Sequence, residues 1–414
     1  MAGRSALLAP FQVRNFRLQF PADMATSWGI EMEVLILGWY ILAETGSVFL
    51  LTLYGSLQYT GTLVAPVVGM AGDQFGHRNV LCAMRASYAV LAAVIGVMAF
   101  TNTLNPVFVL LLAAVNGIVR PSDLAMRNAL VADIMPNEQL MAAMGVSRTT
   151  SDSARIFGSL AGASLLAFLG IAQAYVVVVV FYLIGLGLTA MVTHAKPGAP
   201  ATGRGGLAFL REVQDGMTYV WRTPNVHAGM WLAFLVNLLA FPMTSGLLPY
   251  VAREVYHIGQ TGLGSLVASF ATGALLGSLI TGAIGAAFRP ARMMMVFATA
   301  WFIAVLVFAQ MPDPFSGRIS LMLAGLSQSL SMVPLATMLL QTAGARYRGR
   351  VMGVRMLAIY GLPIGLLTSG VLIPWIGFRA TASLYCVLGL VLMGVIGLWW
   401  RSALWPLHAT GNQR

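Results

Sequence analysis

The feature that most constrains this chain is the recurrence of apolar runs, each long enough for a bilayer-crossing helix, along almost its whole length. Twelve can be read: residues 18–43, 48–71, 79–101, 105–130, 139–169 and 171–193, then 226–251, 260–287, 291–311, 317–342, 349–374 and 379–401. At about 20 residues each, twelve spans consume roughly 240 positions, close to the 58% hydrophobic share of 414 residues. Charged side chains make up only 9%, against about 25% in soluble domains. Little chain is left for a catalytic ectodomain, a nucleotide-binding domain or a large periplasmic module. The expected fold class is therefore an all-α membrane protein with twelve transmembrane helices in two pseudo-symmetric six-helix bundles.

The net charge of +11 could suggest nucleic acid, but the charges sit between the apolar runs, where basic loops face anionic lipid. The even-numbered connections and the two termini, from Arg4, Arg14 and Arg17 through Lys196, Arg204, Arg346 and Arg348 to Arg414, hold sixteen Lys and Arg. The odd-numbered connections hold three, Arg253, Arg318 and Arg379. By the positive-inside rule both termini and the long central connection are cytoplasmic. That connection carries Gly, Pro and charged residues with an amphipathic patch at 207–220, suited to lie along a membrane surface. The expected domains are 1–195, a linker 196–222, and 223–414. Cys82 and Cys386 fall inside apolar runs, and neither a disulfide framework nor a thiolate metal site follows. Five scattered histidines make no metal-ligand set. Pro10 and Asn15 interrupt the N-terminus without a small-residue cleavage site, so no removable signal peptide is expected.

Six spans, a linker and six spans invite a search for an internal repeat. Gly69 and Gly72 close the second span before His77 and Arg78; Gly282 and Gly285 close the eighth before Arg289 and Arg292. The most specific local pattern lies in the connection between spans two and three: Gly69, Asp73, Gly76, His77 and Arg78. Its glycines permit a short turn, and its carboxylate can favour a helix N-terminus. This pattern resembles the signature of the major facilitator superfamily. His77 stands where that family usually has a basic residue, and the family's acidic partner at the end of span four falls on Asp133. The resemblance implies a transporter whose conformational switching engages Gly69, Asp73, Gly76, Arg78 and Asp133. The stretches 128–136 with 155–162, and 337–341 with 347–353, are similar to the branch that includes the enterobactin exporter and bacterial drug exporters. Antiporters often show Gly-Pro where this chain has Gly158-Ser159, and their basic span-four motif is displaced here to Arg120.

Ionisable groups at membrane depth are costly and face a cavity or a partner. Glu31 and Glu33 fall near the middle of span one, and Asp23 is shallower; these three are the proton-coupling candidates, since a low-dielectric surrounding makes the neutral form of a carboxyl accessible. Two residues apart, Glu31 and Glu33 point about 200° apart, so only one can face a central cavity squarely. The substrate-cavity candidates are Arg120, Asp123, Arg155, Trp28, Asn237, Gln328 and Arg355. A spacing of four allows Asp123 to pair with Arg127 and Arg148 with Asp152; Arg120 and Arg155 have no such mate in their own helix. Pro242 and Pro249 in span seven and Pro363 in span eleven read as helix-breaking points.

The activity expected is alternating-access transport, with proton-coupled efflux of small amphipathic organic compounds first. Lipid or lysolipid flipping, or uptake of a metabolite, would suit the same fold; a non-transporting receptor or scaffold is the reading from another class. The expected partners are a small-molecule substrate, protons and the lipid bilayer, with no nucleic acid, no cofactor and no metal, in a monomer of the bacterial inner membrane. No paired metal ligands or Ser/His/Asp arrangement at one depth suggests an enzyme.

Overall fold

The structure, a computed structural model, describes residues 9–193, 206–284, 289–343 and 347–405. Linker residues 196–205, Gly285 of the glycine repeat, and the terminal and loop arginines Arg4, Arg346 and Arg414 lie outside the described residues. Every regular element among the described residues is helical.

Among the described residues, eight helices are long and apolar enough to cross a membrane. Two of them, Glu138–Ala190 and Val351–Trp399, are each a pair of spans joined at one residue. At Gly170 (φ 81, ψ 176) and Gly377 (φ 80, ψ 164) the helical path breaks, in a backbone region open essentially to glycine alone. Val48–Thr62 with Val67–Phe75 forms a further, broken span. Arg14–Thr45, 32 residues long, is span one, its apolarity lowered by its carboxyls. Twelve spans result among the described residues. The linker helix Gly206–Arg222 precedes the seventh.

The repeat between halves is written in backbone detail. Gly170 and Gly377 occupy equivalent hinges with nearly the same angles. Spans four and ten both begin with an Asx cap followed by proline at the first helical position: Asn105 accepts from the N–H of Val107, and Asp313 from those of Phe315 and Ser316. The donors around Asp313, with the Ser316 hydroxyl first among them, hold its carboxyl below the ordinary carboxylate range. Close helix contacts repeat as well. A Cβ on Gly61 or Gly117 would lie 1.9 Å from the carbonyl oxygen of Ile118 or Leu57 respectively, joining spans two and four. In the second half a Cβ on Gly273 would lie 1.9 Å from the Met322 oxygen, and one on Gly325 2.0 Å from the Phe270 oxygen, joining spans eight and ten. Backbone cannot retreat as a flexible side chain can, so Gly325→Ala is expected to force the two helices apart. We expect it to cost about 1–3 kcal/mol, read as a lowered midpoint of thermal unfolding in detergent.

Packing divides the chain into two compact units, Met1–Gly203 with Pro249–Ala268, and Arg204–Leu248 with Ser269–Arg414. The first has a core built on Phe16, Met32, Ile36, Tyr88, Tyr175 and Tyr182. The segment Pro249–Ala268 belongs to it through the Arg253 guanidinium, which donates to the Leu42 carbonyl, and through Gly264, whose Cβ would come 2.6 Å from that of Ala163. In the second, Trp301 is fully buried and meets Phe241 edge to face at 4.8 Å. Val90, Val97, Phe168 and Leu279 are exposed; in a membrane protein such outward apolar side chains are covered by lipid tails.

Candidate functional site

The polar interior of the first unit is assembled around span one, whose three carboxyls at membrane depth, Asp23, Glu31 and Glu33, have three different fates. Asp23 is buried and forms an ion pair with Arg85 of span three. Arg85 also donates to the Thr189 hydroxyl and, at 3.1 Å, to the Gly185 carbonyl of span six. Gln19 completes the cluster, donating to Asp23 at 2.7 Å and accepting from Thr189 at 3.4 Å. Asp23 is thus held in a closed ionic knot. The sequence reading passed over Arg85, although a lone charge inside an apolar span must find its partner on another helix.

Glu33, also buried, lies at the centre of a second cluster. The Tyr182 hydroxyl donates to one carboxylate oxygen and the Asn116 amide to the other at 3.3 Å. The Arg120 guanidinium stands 3.8 Å away. Arg120 is placed by a local break: Pro121 has no N–H to continue an α-helix, and span four passes through a single 3₁₀ turn, Arg120–Ser122, between its two α-helical parts. That turn lets Arg120 donate to the Gln58 side chain and, at 3.2 Å, to the Ile30 carbonyl. Three turns thereby converge, from spans one, two and four. Nothing in the local sequence pointed to Tyr182 or Gln58, because an uncharged hydrogen-bonding side chain in a span has no periodicity that sets it apart.

Asp123 and Arg127 form the ion pair that their spacing allows, at 2.8 Å, and Arg127 donates to the Ser27 hydroxyl at 2.7 Å. Arg148 and Asp152, at the same spacing, do not pair among the described residues, and Arg148 is exposed.

Glu31 lies on the other side of span one from Glu33 and is half-buried. Beside it, span five departs from α-helix in a π-helical turn, Ala154–Gly158. Such turns add a residue and re-aim side chains, often at functional sites. Ser159, standing where antiporters often have proline, donates its hydroxyl to the Arg155 and Ile156 carbonyls at 2.5 and 3.1 Å. It thus occupies carbonyls at the widened turn. A Cβ on Gly158 would lie 3.3 Å from the Trp28 backbone, so spans one and five touch here. Trp28 donates to the Ser153 hydroxyl at 3.4 Å and stacks on Phe157 with centroids 6.0 Å apart. Arg155 is exposed.

Three of the candidates lie in the second unit. Asn237 spends its amide on the Ala233 carbonyl of its own helix at 2.8 Å. Gln328 is half-buried on span ten, and Arg355 is half-buried in the short helix Arg348–Leu357. Among the described residues, no group of three or more His, Cys, Asp or Glu side chains could hold a metal ion.

The connection between spans two and three is organised by the histidine that departs from the family pattern. Gly76 takes φ 87, ψ 132, which closes one helix and opens the next in a single residue. His77 then bridges two carboxylates, its Nδ1 2.6 Å from Asp133 and its Nε2 3.4 Å from Asp73. Each ring nitrogen thus faces a carboxylate, a group that only accepts when ionised. Arg78 donates to the carbonyls of Thr189, at 3.4 Å, and Ala190, a cation at the C-terminal end of span six. Gly72 is needed for room against Met126 and His77, whereas a Cβ on Gly69 would meet nothing. His77→Ala is expected to leave Asp73 and Asp133 uncompensated and to slow transport about tenfold, equivalent to one lost charged contact. His77→Lys should restore most of the rate in the same flux assay.

Comparison with known proteins agrees with this architecture. Residues 6–354 and, overlapping them, 230–411 match the sequence pattern of the Major Facilitator Superfamily. Macrolide efflux protein A of Streptococcus pyogenes is 21% identical over 378 residues, covering 88% of this chain and 91% of that one. Multidrug efflux pump Tap of Mycolicibacterium fortuitum is 23% identical over 385 residues, covering 91% and 93%. Enterobactin exporter EntS of Citrobacter koseri is 23% identical over 351 residues, covering 84% and 82%. Among solved structures, a mutant of the nucleoside transporter NupG superposes with a TM-score of 0.75 at 12% identity, covering 93% of this chain and 99% of that one. A bacterial homologue of the human lysosomal transporter Spinster gives 0.70 at 13%, covering 94% and 96%; at these identities the likeness speaks for the fold. With twelve helical spans, a repeated half and the Asp73–His77–Asp133 connection in place, the chain belongs to the Major Facilitator Superfamily and is a multi-pass membrane transporter rather than an enzyme.

Proposed function

We propose that this transporter exports small amphipathic organic compounds from the cytoplasm across a bacterial inner membrane in exchange for protons, by alternating access of two six-helix halves, 1–195 and 223–414. The arrangement of Glu33 carries the reading. A carboxylate at membrane depth, held by Tyr182, Asn116 and Arg120, can bind a proton, and doing so removes the charge that draws Arg120 toward span one. Arg120 also holds Gln58 of span two and the Ile30 carbonyl, so loading the proton changes the balance of contacts among three helices. Relatives named for macrolide efflux, multidrug efflux and enterobactin export support the direction of transport. The excess of Lys and Arg on even-numbered connections supports cytoplasmic termini and linker, and the monomer is taken as the working unit.

The test is flux in proteoliposomes holding the purified protein, with a pH gradient imposed and a macrolide and a lipophilic dye cation as probes. Concentrative movement of either probe that stops when the gradient is dissipated is the expected result. Flux that is unchanged without the gradient would overturn proton coupling, and movement of neither probe would overturn the substrate class.

A further inference from the structure

Spans one and four meet along a seam that holds more polar atoms than it pairs. Asn116, Arg120, Asp123 and Arg127 follow one another on span four at spacings of four, three and four, which sets them on one face. Their contacts run in antiparallel register along span one. Asn116 donates to Glu33 at 3.3 Å, Arg120 to the Ile30 carbonyl at 3.2 Å, and Arg127 to the Ser27 hydroxyl at 2.7 Å and the Asp23 carbonyl at 3.5 Å. Asp123 is thereby bracketed between the levels of Ile30 and Ser27, about one turn beyond Arg120, with its Oδ2 on Arg127 at 2.8 Å. Asn116, Asp123 and Arg127 are buried. Even so, Asn116 Oδ1, Arg120 Nε and Asp123 Oδ1 have no hydrogen-bond partner among the described residues. The same holds for the hydroxyl of Tyr88, whose ring lies 5.7 Å from that of Tyr182 beside Glu33. A buried polar atom is costly without a partner, and water is the partner that fits between such groups. Charge is balanced along the seam, since Asp23, Glu33 and Asp123 stand against Arg85, Arg120 and Arg127 one for one.

Resting on the proton-coupling reading above, we propose that this seam binds water and that Asp123 is a second proton site, exchanging its proton with Glu33. In the step, the O–H bond of protonated Glu33 breaks, the proton passes through bound water, and an O–H bond forms at Asp123 Oδ1, the oxygen that Arg127 leaves open. Glu33 returns to a carboxylate held by Tyr182, Asn116 and Arg120, and Asp123 becomes neutral. The net charge of the seam is the same before and after, so the transfer moves a charge by about one helical turn without adding one to the membrane interior. Arg127 keeps the Ser27 hydroxyl and the Asp23 carbonyl, so it is not stranded when its partner carboxylate is neutralised.

Infrared difference spectroscopy on the detergent-purified full chain, stepped between acid and alkaline buffer, reads protonated carboxyls by their carbonyl stretch and needs no flux. The wild-type protein is expected to show one band that is missing from Glu33→Gln and a second that is missing from Asp123→Asn. Weak O–H stretches that shift in H₂¹⁸O and change in Asp123→Asn are expected from the bound water. In proteoliposomes Asp123→Asn should lower gradient-driven accumulation about tenfold, the worth of one charged hydrogen bond, with downhill exchange at the wild-type rate, and Asp123→Glu should recover most of the loss. A merely structural carboxylate would instead lower both kinds of flux together. If Asp123→Asn alone does not fold, the double variant with Arg127→Gln, which removes both charges, takes its place in each measurement. Carboxyl bands unchanged by the Asp123 substitution, no water stretch that responds to it, or downhill exchange falling in step with accumulation would overturn the assignment. Should the wild type prove uncoupled in vesicles, the infrared result decides alone: a band lost with Asp123 upholds the second site, and none lost overturns it.

Discussion

Replacing Glu33 by glutamine is expected to abolish concentrative, pH-driven flux while leaving downhill exchange of substrate in place. Glutamine keeps the shape of the side chain and still accepts from Tyr182, whose hydroxyl donates to the carboxylate in the wild-type protein. It cannot exchange a proton at neutral pH, so the step that would alter the hold on Arg120 is gone. Arg120 loses its counter-charge but retains the Gln58 side chain and the Ile30 carbonyl, which is why the fold should survive. The expected fall in gradient-driven accumulation is about 100-fold or more, the effect of removing an interaction of roughly 3 kcal/mol that the cycle must make and break. Undiminished concentrative flux in the Glu33 variant, measured in the same vesicles, would remove the basis for assigning coupling to this residue.

The largest expected effect on stability is at Arg85. Its side chain is 0% exposed and that of its partner Asp23 is 2% exposed, so water cannot compensate either charge if the other is removed. Arg85→Met should therefore destabilise the protein by about 3–5 kcal/mol, the range for stranding one member of a buried ion pair. The accompanying loss of donors to Thr189 and Gly185 pushes in the same direction. Adding Asp23→Asn to Arg85→Met removes the stranded charge, and the double variant should recover much of the stability. Thermal unfolding in detergent and the monodisperse yield of each variant measure this. A single variant as stable as the wild type would show that the knot at the base of span one is solvated.

The spans were legible because their signal is local. Twenty apolar residues in succession carry the same meaning wherever they occur, and the charge asymmetry of the connections follows from counting. The connection between spans two and three was also legible, since a turn of one residue needs glycine at Gly76 and its charged neighbours are close in the sequence. His77 marks the limit of that reading. It appeared as a substitution for a basic residue, whereas the structure makes it the bridge between Asp73 and Asp133, which lies on another helix.

Sequence by itself determined the class of the protein, the number and order of its helices, and the presence of carboxyls and guanidiniums where lipid would not tolerate them alone. It could not decide which charge answers which. Asp23 meets Arg85, and Glu33 meets Arg120 and Tyr182, because helices distant along the chain are brought together by glycine contacts, a proline-broken span four and a π-helical turn in span five. Those pairings depend on the rotation of each helix about its own axis, and that rotation is set only when all the neighbouring helices have packed.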